Sequence, residues 1–136
     1  MVRDETKREA KHMMKQILAI ALGASFGAVC RWWMVLVMQR WFGTGYPWAT
    51  LFVNALGSFV LGFLVIWFLD KTHLSDLVRL LLTVGFLGSF TTFSTFSVET
   101  VRLMEQGSIT LSLVHTIGSV VLCIGMAWLG MLLAKM

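Results

Sequence analysis

The residues Thr91-Thr92-Phe93-Ser94-Thr95-Phe96-Ser97 stand near the middle of a stretch, Leu80 to Val98, that carries no Asp, Glu, Lys or Arg, and Gly85, Gly88 and Ser89 precede them. Hydroxyls and glycines at that density fit poorly in an unbroken helix. In hydrocarbon every backbone polar group has to be satisfied, so a break is tolerated only where it is buried in protein or lines a wet cavity. The run therefore predicts a break at mid-membrane. Broken spans offer freed carbonyls to cations and N-terminal N–H groups to anions. The plainer alternative is that Ser and Thr hydroxyls bond carbonyls one turn back while the glycines aid packing.

Phe93 and Phe96 are three apart and share a helix face, with Ser94 and Ser97 one step round from each. An aromatic ring has a negative face and a positive edge, so two rings presented edge-on can stabilise an anion that has shed its water, with hydroxyls supplying the lost hydrogen bonds. Taken alone, a Phe pair at this spacing is more often ordinary lipid-facing or core packing. Thr50, Asn54, Ser58 and Gly62 form an i, i+4 stripe of small and polar residues along an otherwise apolar segment. Asn54 is its costly member, because a carboxamide deep in a membrane must face protein or water; its NH₂ suits a small hard anion, or glues two helices. His115 and Ser119 make another i, i+4 pair, flanked by Ser112 and Gly118, with a pore-lining role and an interhelical contact as the two readings. Arg31 needs an interface, a carboxylate such as Glu99, or a watery vestibule. There is no Asp, Glu or Lys from Gln16 to Cys30, from Trp41 to Leu69, or from Leu80 to Val98. A cation- or proton-coupled transporter usually needs one.

The elements that must hold these groups are membrane helices. Of 136 residues, 13% are charged and 57% hydrophobic, and the mean hydropathy is +0.80, whereas a soluble domain carries about a quarter charged residues. Stretches free of Asp, Glu, Lys and Arg run Gln16–Cys30, Trp41–Leu69, Leu80–Val98 and Gly107–Ala134. A span needs about 20 residues, so four transmembrane helices are expected, the first continuing past Arg31 to Arg40-Trp41. Ala19, Gly23 and Gly27 allow close helix contact there. Gly43 to Pro47 is a turn, Pro47 suits the first turn of the second helix, and Trp41, Tyr46 and Trp48 mark an interface belt. Helix two ends at Asp70-Lys71, and His73 reads as a solvated loop residue. The organisation expected is a basic tail, 1–15, and one four-helix domain, 16–136.

The net charge of +4 comes largely from Arg3, Lys7, Arg8, Lys11 and Lys15 in the tail. Such a tail orients a protein or contacts anionic lipid, so the bilayer is the expected partner and nucleic acid is not. A signal peptide ending at Ala19-Ile20-Ala21 is disfavoured, since too few apolar residues precede that triplet. Cys30 and Cys123 lie in apolar runs without metal-ligand spacing and read as small core residues.

The run Gly85-Phe86-Leu87-Gly88-Ser89-Phe90-Thr91-Thr92-Phe93-Ser94-Thr95-Phe96-Ser97-Val98-Glu99 resembles the signature of the Fluc (CrcB) fluoride channels. Thr50 to Asn54, Gly23 to Gly27 and Arg31-Trp32 match as well. The resemblance covers the chain from about Lys15 onward. It implies an antiparallel, dual-topology homodimer with two fluoride pores, a central structural sodium ion held by backbone carbonyls, and passive export of toxic fluoride, with no enzymatic chemistry. By position, Phe93 and Phe96 would be the pore aromatics and Asn54 and Ser94 polar pore residues; Thr50, Thr95 and His115 are further pore candidates. The Gly88 and Thr91 carbonyls would bind sodium. Ser89 stands where a second glycine is common in the family. Eight Lys and Arg fall on the N-terminal side (the five in the tail, Lys71, Arg79 and Lys135) against Arg31, Arg40 and Arg102 opposite, a bias that favours one orientation, so dual topology rests on the resemblance alone.

Two other classes fit less well. An exporter of the small multidrug type matches in length but requires a carboxylate in its first helix, where none is present. An intramembrane hydrolase built on Ser119 and His115 lacks an evident oxyanion hole.

Overall fold

The computed structural model describes residues 2–70 and 74–136. His73 and Lys71 lie outside them. The described residues are helical with no strand, and helices long and apolar enough to cross a membrane cover Glu5–Phe42, Trp48–Leu69, Asp76–Glu105 and Ile109–Leu133. The chain is a multi-pass membrane protein of four spans, as the hydropathy pattern leads one to expect.

The first helix, α1 (Val2–Phe42), is longer than expected. At 1.5 Å per residue it measures about 60 Å, twice the hydrocarbon thickness of about 30 Å. The basic tail, from Val2 on, continues the first span as a helix. Good helix formers fill it, and no Gly or Pro occurs before Gly23. Gly43 ends α1 with a φ of +73°, its N–H donating to the Gln39 carbonyl at 2.9 Å, a left-handed cap that suits glycine. Pro47 stands one position earlier than expected: its carbonyl accepts the Leu51 N–H at 3.3 Å, which makes it the residue before the first turn of α2 (Trp48–Asp70). The Tyr46 and Trp48 rings lie 4.5 Å apart, in an aromatic belt.

The third span is built in pieces. A short helix, α3 (Asp76–Leu80), runs into a π-helical stretch, Leu81–Leu87, then α4 (Gly88–Phe90), a two-residue interruption at Thr91 and Thr92, and α5 (Phe93–Glu105). Gly107, at φ +74°, and the Ser108 N–H bonded to the Leu103 carbonyl at 2.9 Å close α5 and turn the chain into α6 (Ile109–Leu133).

Two close contacts fix the frame. Gly23 and Gly27 of α1 lie so near the Leu81 and Phe86 backbone of the π stretch that a Cβ at either would meet a carbonyl oxygen. Gly62 of α2 meets Ala127 of α6, and Gly130 of α6 meets Phe59. Lipid is as apolar as leucine, so helices in it are held by such van der Waals approach rather than by exclusion from water. Arg79 donates to the Phe68 carbonyl at 2.9 Å and satisfies the end of α2. The pairing of α1 with the π stretch and of α2 with α6 leaves the interruption of the third span facing α2 at mid-membrane.

Candidate functional site

The interruption is an extended dipeptide, Thr91 at φ −78°, ψ 160° and Thr92 at φ −152°, ψ 115°. Its backbone groups are satisfied from α2. The Thr92 N–H donates to Asn54 Oδ1 at 2.7 Å, and Asn54 Nδ2 donates to the Thr92 carbonyl at 2.9 Å. The carboxamide therefore acts as a strand would. One of its two N–H donors is spent on the fold and one remains. Gly57, one turn along α2, lets the helix lie against Thr91, whose methyl would be struck by any Cβ there. Thr92 also caps α5: its hydroxyl accepts the Thr95 N–H at 3.2 Å and donates to Thr95 Oγ1 at 2.9 Å. Ser94 Oγ is 3.3 Å from the same oxygen.

The bonded hydroxyls of the third span divide into two kinds. Thr83, Thr91, Ser97 and Thr100 bond carbonyls one turn back, as the plainer alternative holds. Thr92, Ser94 and Thr95 instead crowd the N-terminus of α5, where unpaired N–H groups and the helix dipole favour an anion.

A cleft of about 270 Å³ opens at that N-terminus. Asn54, Gly57, Ser58 and Leu61 of α2, Thr91, Thr92, Phe93 and Phe96 of the third span, and Ser119, Val120 and Cys123 of α6 line it. The Phe93 and Phe96 ring centroids are 5.4 Å apart at 40°; Phe96 is buried, whereas Phe93 is 77% exposed on the single chain. Of the expected pore residues, Asn54, Phe93 and Phe96 line this cleft and Ser94 does not. Ser58 and Ser119 join them from the two i, i+4 series. Cys123, read from sequence as a core residue, is half-buried and lines the cleft.

Thr50 and Thr95 lie elsewhere. They line a second cleft of about 270 Å³ with Tyr46, Glu99 and Arg102, at the turn between α1 and α2. There Thr50 Oγ1 donates to Glu99 Oε1 at 2.9 Å. Glu99 entered the sequence reading only as the end of the span and a partner for Arg31. The signal that would have found it is the row Phe93, Phe96, Glu99, each three residues on and so on one face. Arg31 does not reach Glu99; its Nη1 donates to the Thr91 carbonyl at 3.3 Å, and it lines a third cleft with Thr50, Thr92 and Thr95.

His115 sits apart from the linings of the first two clefts on the single chain, being fully buried between the Phe96 ring at 5.1 Å and the Tyr46 ring at 5.6 Å. Nor is it a satisfied interhelical contact, because both ring nitrogens lack a hydrogen-bond partner. Burial pushes the pKa of the Tyr46 hydroxyl, in the turn, above the ordinary tyrosine value.

The interruption also leaves carbonyls for a cation. In a continuous helix the Gly88 carbonyl would take the Thr92 N–H and the Thr91 carbonyl the Thr95 N–H; these go to Asn54 and to the Thr92 hydroxyl instead. Thr91 keeps only the long bond from Arg31. Neutral oxygens of this kind fit a hard monovalent cation. Among the described residues no group of three or more His, Cys, Asp or Glu could hold a metal ion.

The fold and the site together define a four-span helical membrane protein whose third span is broken to present a helix N-terminus and a ring pair to a mid-membrane cleft. The chain belongs to the CrcB family: the model for "CrcB-like protein, Camphor Resistance (CrcB)" matches residues 18–131. It is 46% identical over 118 residues to a protein of Shewanella denitrificans, covering 86% of this chain and 94% of that one. With a protein of Magnetococcus marinus it shares 43% over 121 residues, 89% of this chain and 98% of the other. A protein of Methylococcus capsulatus is 42% identical over 123 residues, which cover 90% of this chain but 54% of that protein, so the chain spans about half its length. Each relative is called "Fluoride-specific ion channel FluC". Family membership sets aside the small multidrug-type exporter and the hydrolase.

Proposed function

We propose that the chain is a fluoride-selective channel, passive and not an enzyme, that lets fluoride leave the cell. The observation that carries this reading is the cleft in which the N-terminus of α5, the Phe93–Phe96 pair and the remaining N–H of Asn54 converge. A small anion entering it exchanges water for fixed donors and ring edges. No carboxylate lines that cleft. The names of the relatives support the choice of fluoride among anions. In a bacterium stripped of its own fluoride exporter, expression of the chain restores growth on fluoride medium; failure of a membrane-inserted protein to do so counts against the reading.

The working unit is an antiparallel homodimer. The exposure of Phe93 and Gly88 on the single chain supports a second copy against this face. In a two-fold pair the Gly88 and Thr91 carbonyls meet their symmetry mates and hold one sodium ion of structural role. Sodium bound only by the assembled pair stabilises it by mass action. The dimer in detergent accordingly melts at a higher temperature in sodium than in N-methylglucamine, and equal melting in both removes the ion from the account.

A further inference from the structure

We propose that His115 and Glu99 form a proton-operated gate between the two clefts, which raises anion flux as the pH falls. The inference rests on the channel reading above and adds regulation to it.

Ser119 and Phe96 line the first cleft and Glu99 the second, and His115, one turn from Ser119 on α6, packs on Phe96 and lies beside Glu99. Buried polar atoms without hydrogen-bond partners occur on all three residues: both nitrogens of His115, Oγ of Ser119 and Oε2 of Glu99. Glu99 is anchored through its other oxygen by the Thr50 hydroxyl. Its free oxygen stands 3.9 Å from His115 Nε2, within ion-pair range but too far for a hydrogen bond. Buried polar groups are bonded as a rule, so this cluster has bonding capacity that a change of protonation can use. A neutral imidazole has one donor and one acceptor, whereas imidazolium has two donors and a positive charge. Nε2–H then bonds the free carboxylate oxygen, and the net negative charge that Glu99 places on the anion's route is cancelled.

The other charged and titratable groups nearby do not compete for this role. Arg102 shares the second cleft with Glu99 and acts on its charge alike in both states of His115. Tyr46, from the turn, keeps its proton. From Trp48 to Leu69, α2 carries no ionisable side chain, and on α6 the nearest is Cys123, eight residues on. Of these side chains, histidine is the one whose unperturbed charge change falls between about pH 5 and pH 8.

The test is fluoride efflux from proteoliposomes at about pH 5.5 and about pH 7.5, on either side of the ordinary histidine value, with leakage of hydrogen fluoride subtracted from protein-free vesicles. Wild-type flux rises roughly tenfold toward the lower pH, as removal of a nearby like charge implies. His115→Gln is flat across that range, and Glu99→Gln is raised at the higher pH toward the acid level. Wild-type flux that is flat or falls with acid, or a His115→Gln variant that keeps the rise, overturns the gate. Absence of fluoride flux at every pH strikes the channel reading instead. A second measurement does not depend on the His115 variant folding. In the His12→Gln, His73→Gln background the imidazole ¹⁵N shifts of His115 change over the same pH range as flux, and shifts constant through that range also overturn the proposal.

Discussion

Phe96→Ile and Phe93→Ile each lower fluoride flux by roughly tenfold, while the protein still folds and pairs. An edge-on aromatic contact is worth about 0.5–1.5 kcal/mol, and about 1.4 kcal/mol is a factor of ten. Isoleucine fills most of the space but has no positive edge. The two positions differ in what else they do. Phe93 is exposed on the single chain, so its replacement removes little packing within that chain. Phe96 is buried against His115 and Phe93, and trimming a core aromatic adds a stability loss of about 1 kcal/mol or more. Flux per folded dimer, measured with melting temperature beside it, separates the two effects. Wild-type flux in both variants reduces the pair to packing.

Asn54→Leu abolishes most flux and also loosens the break. The carboxamide satisfies both the N–H and the carbonyl of Thr92, and an unmet buried polar group costs about 1–3 kcal/mol. Water in the cleft takes over part of that role, so a folded but less stable protein is expected. Sequence alone ranks conduction above stability at this residue, because hydrogen bonds between membrane helices average only about 0.6 kcal/mol. The paired bonds seen here make both losses substantial. Asn54→Asp is the informative companion: ionised, it keeps the acceptor for the Thr92 N–H but sets a negative charge against the Thr92 carbonyl, so flux and stability both fall. Unimpaired flux in Asn54→Leu leaves this residue as glue.

The spans and the break were legible in the sequence because their causes are local. Uncharged stretches measure the bilayer, and a dense run of hydroxyls and glycines cannot form an ordinary lipid-exposed helix. The i, i+4 stripe on α2 was legible for the same reason: Thr50, Asn54 and Ser58 do face the third span and α6. What escaped depends on which chain segments meet. The π-helical stretch Leu81–Leu87 has no residue pattern of its own and lies where Gly23 and Gly27 of α1 press on it. The hydrogen bond from Arg31 to the Thr91 carbonyl joins groups 60 residues apart, and Glu99 becomes part of the site only because Thr50 and His115 reach it from other helices. The helical run of α1 back to Val2 was foreseeable from its residue types, but charge made those residues read as a separate tail.

The most direct measurement is efflux of fluoride and of chloride, each by ion-selective electrode, from liposomes holding the purified protein and made permeable to potassium. Fluoride empties rapidly and chloride stays, because closely spaced donors at Asn54, Ser94 and the start of α5 offset the loss of water only for a small anion. Equal efflux of both ions, or of neither, contradicts the account.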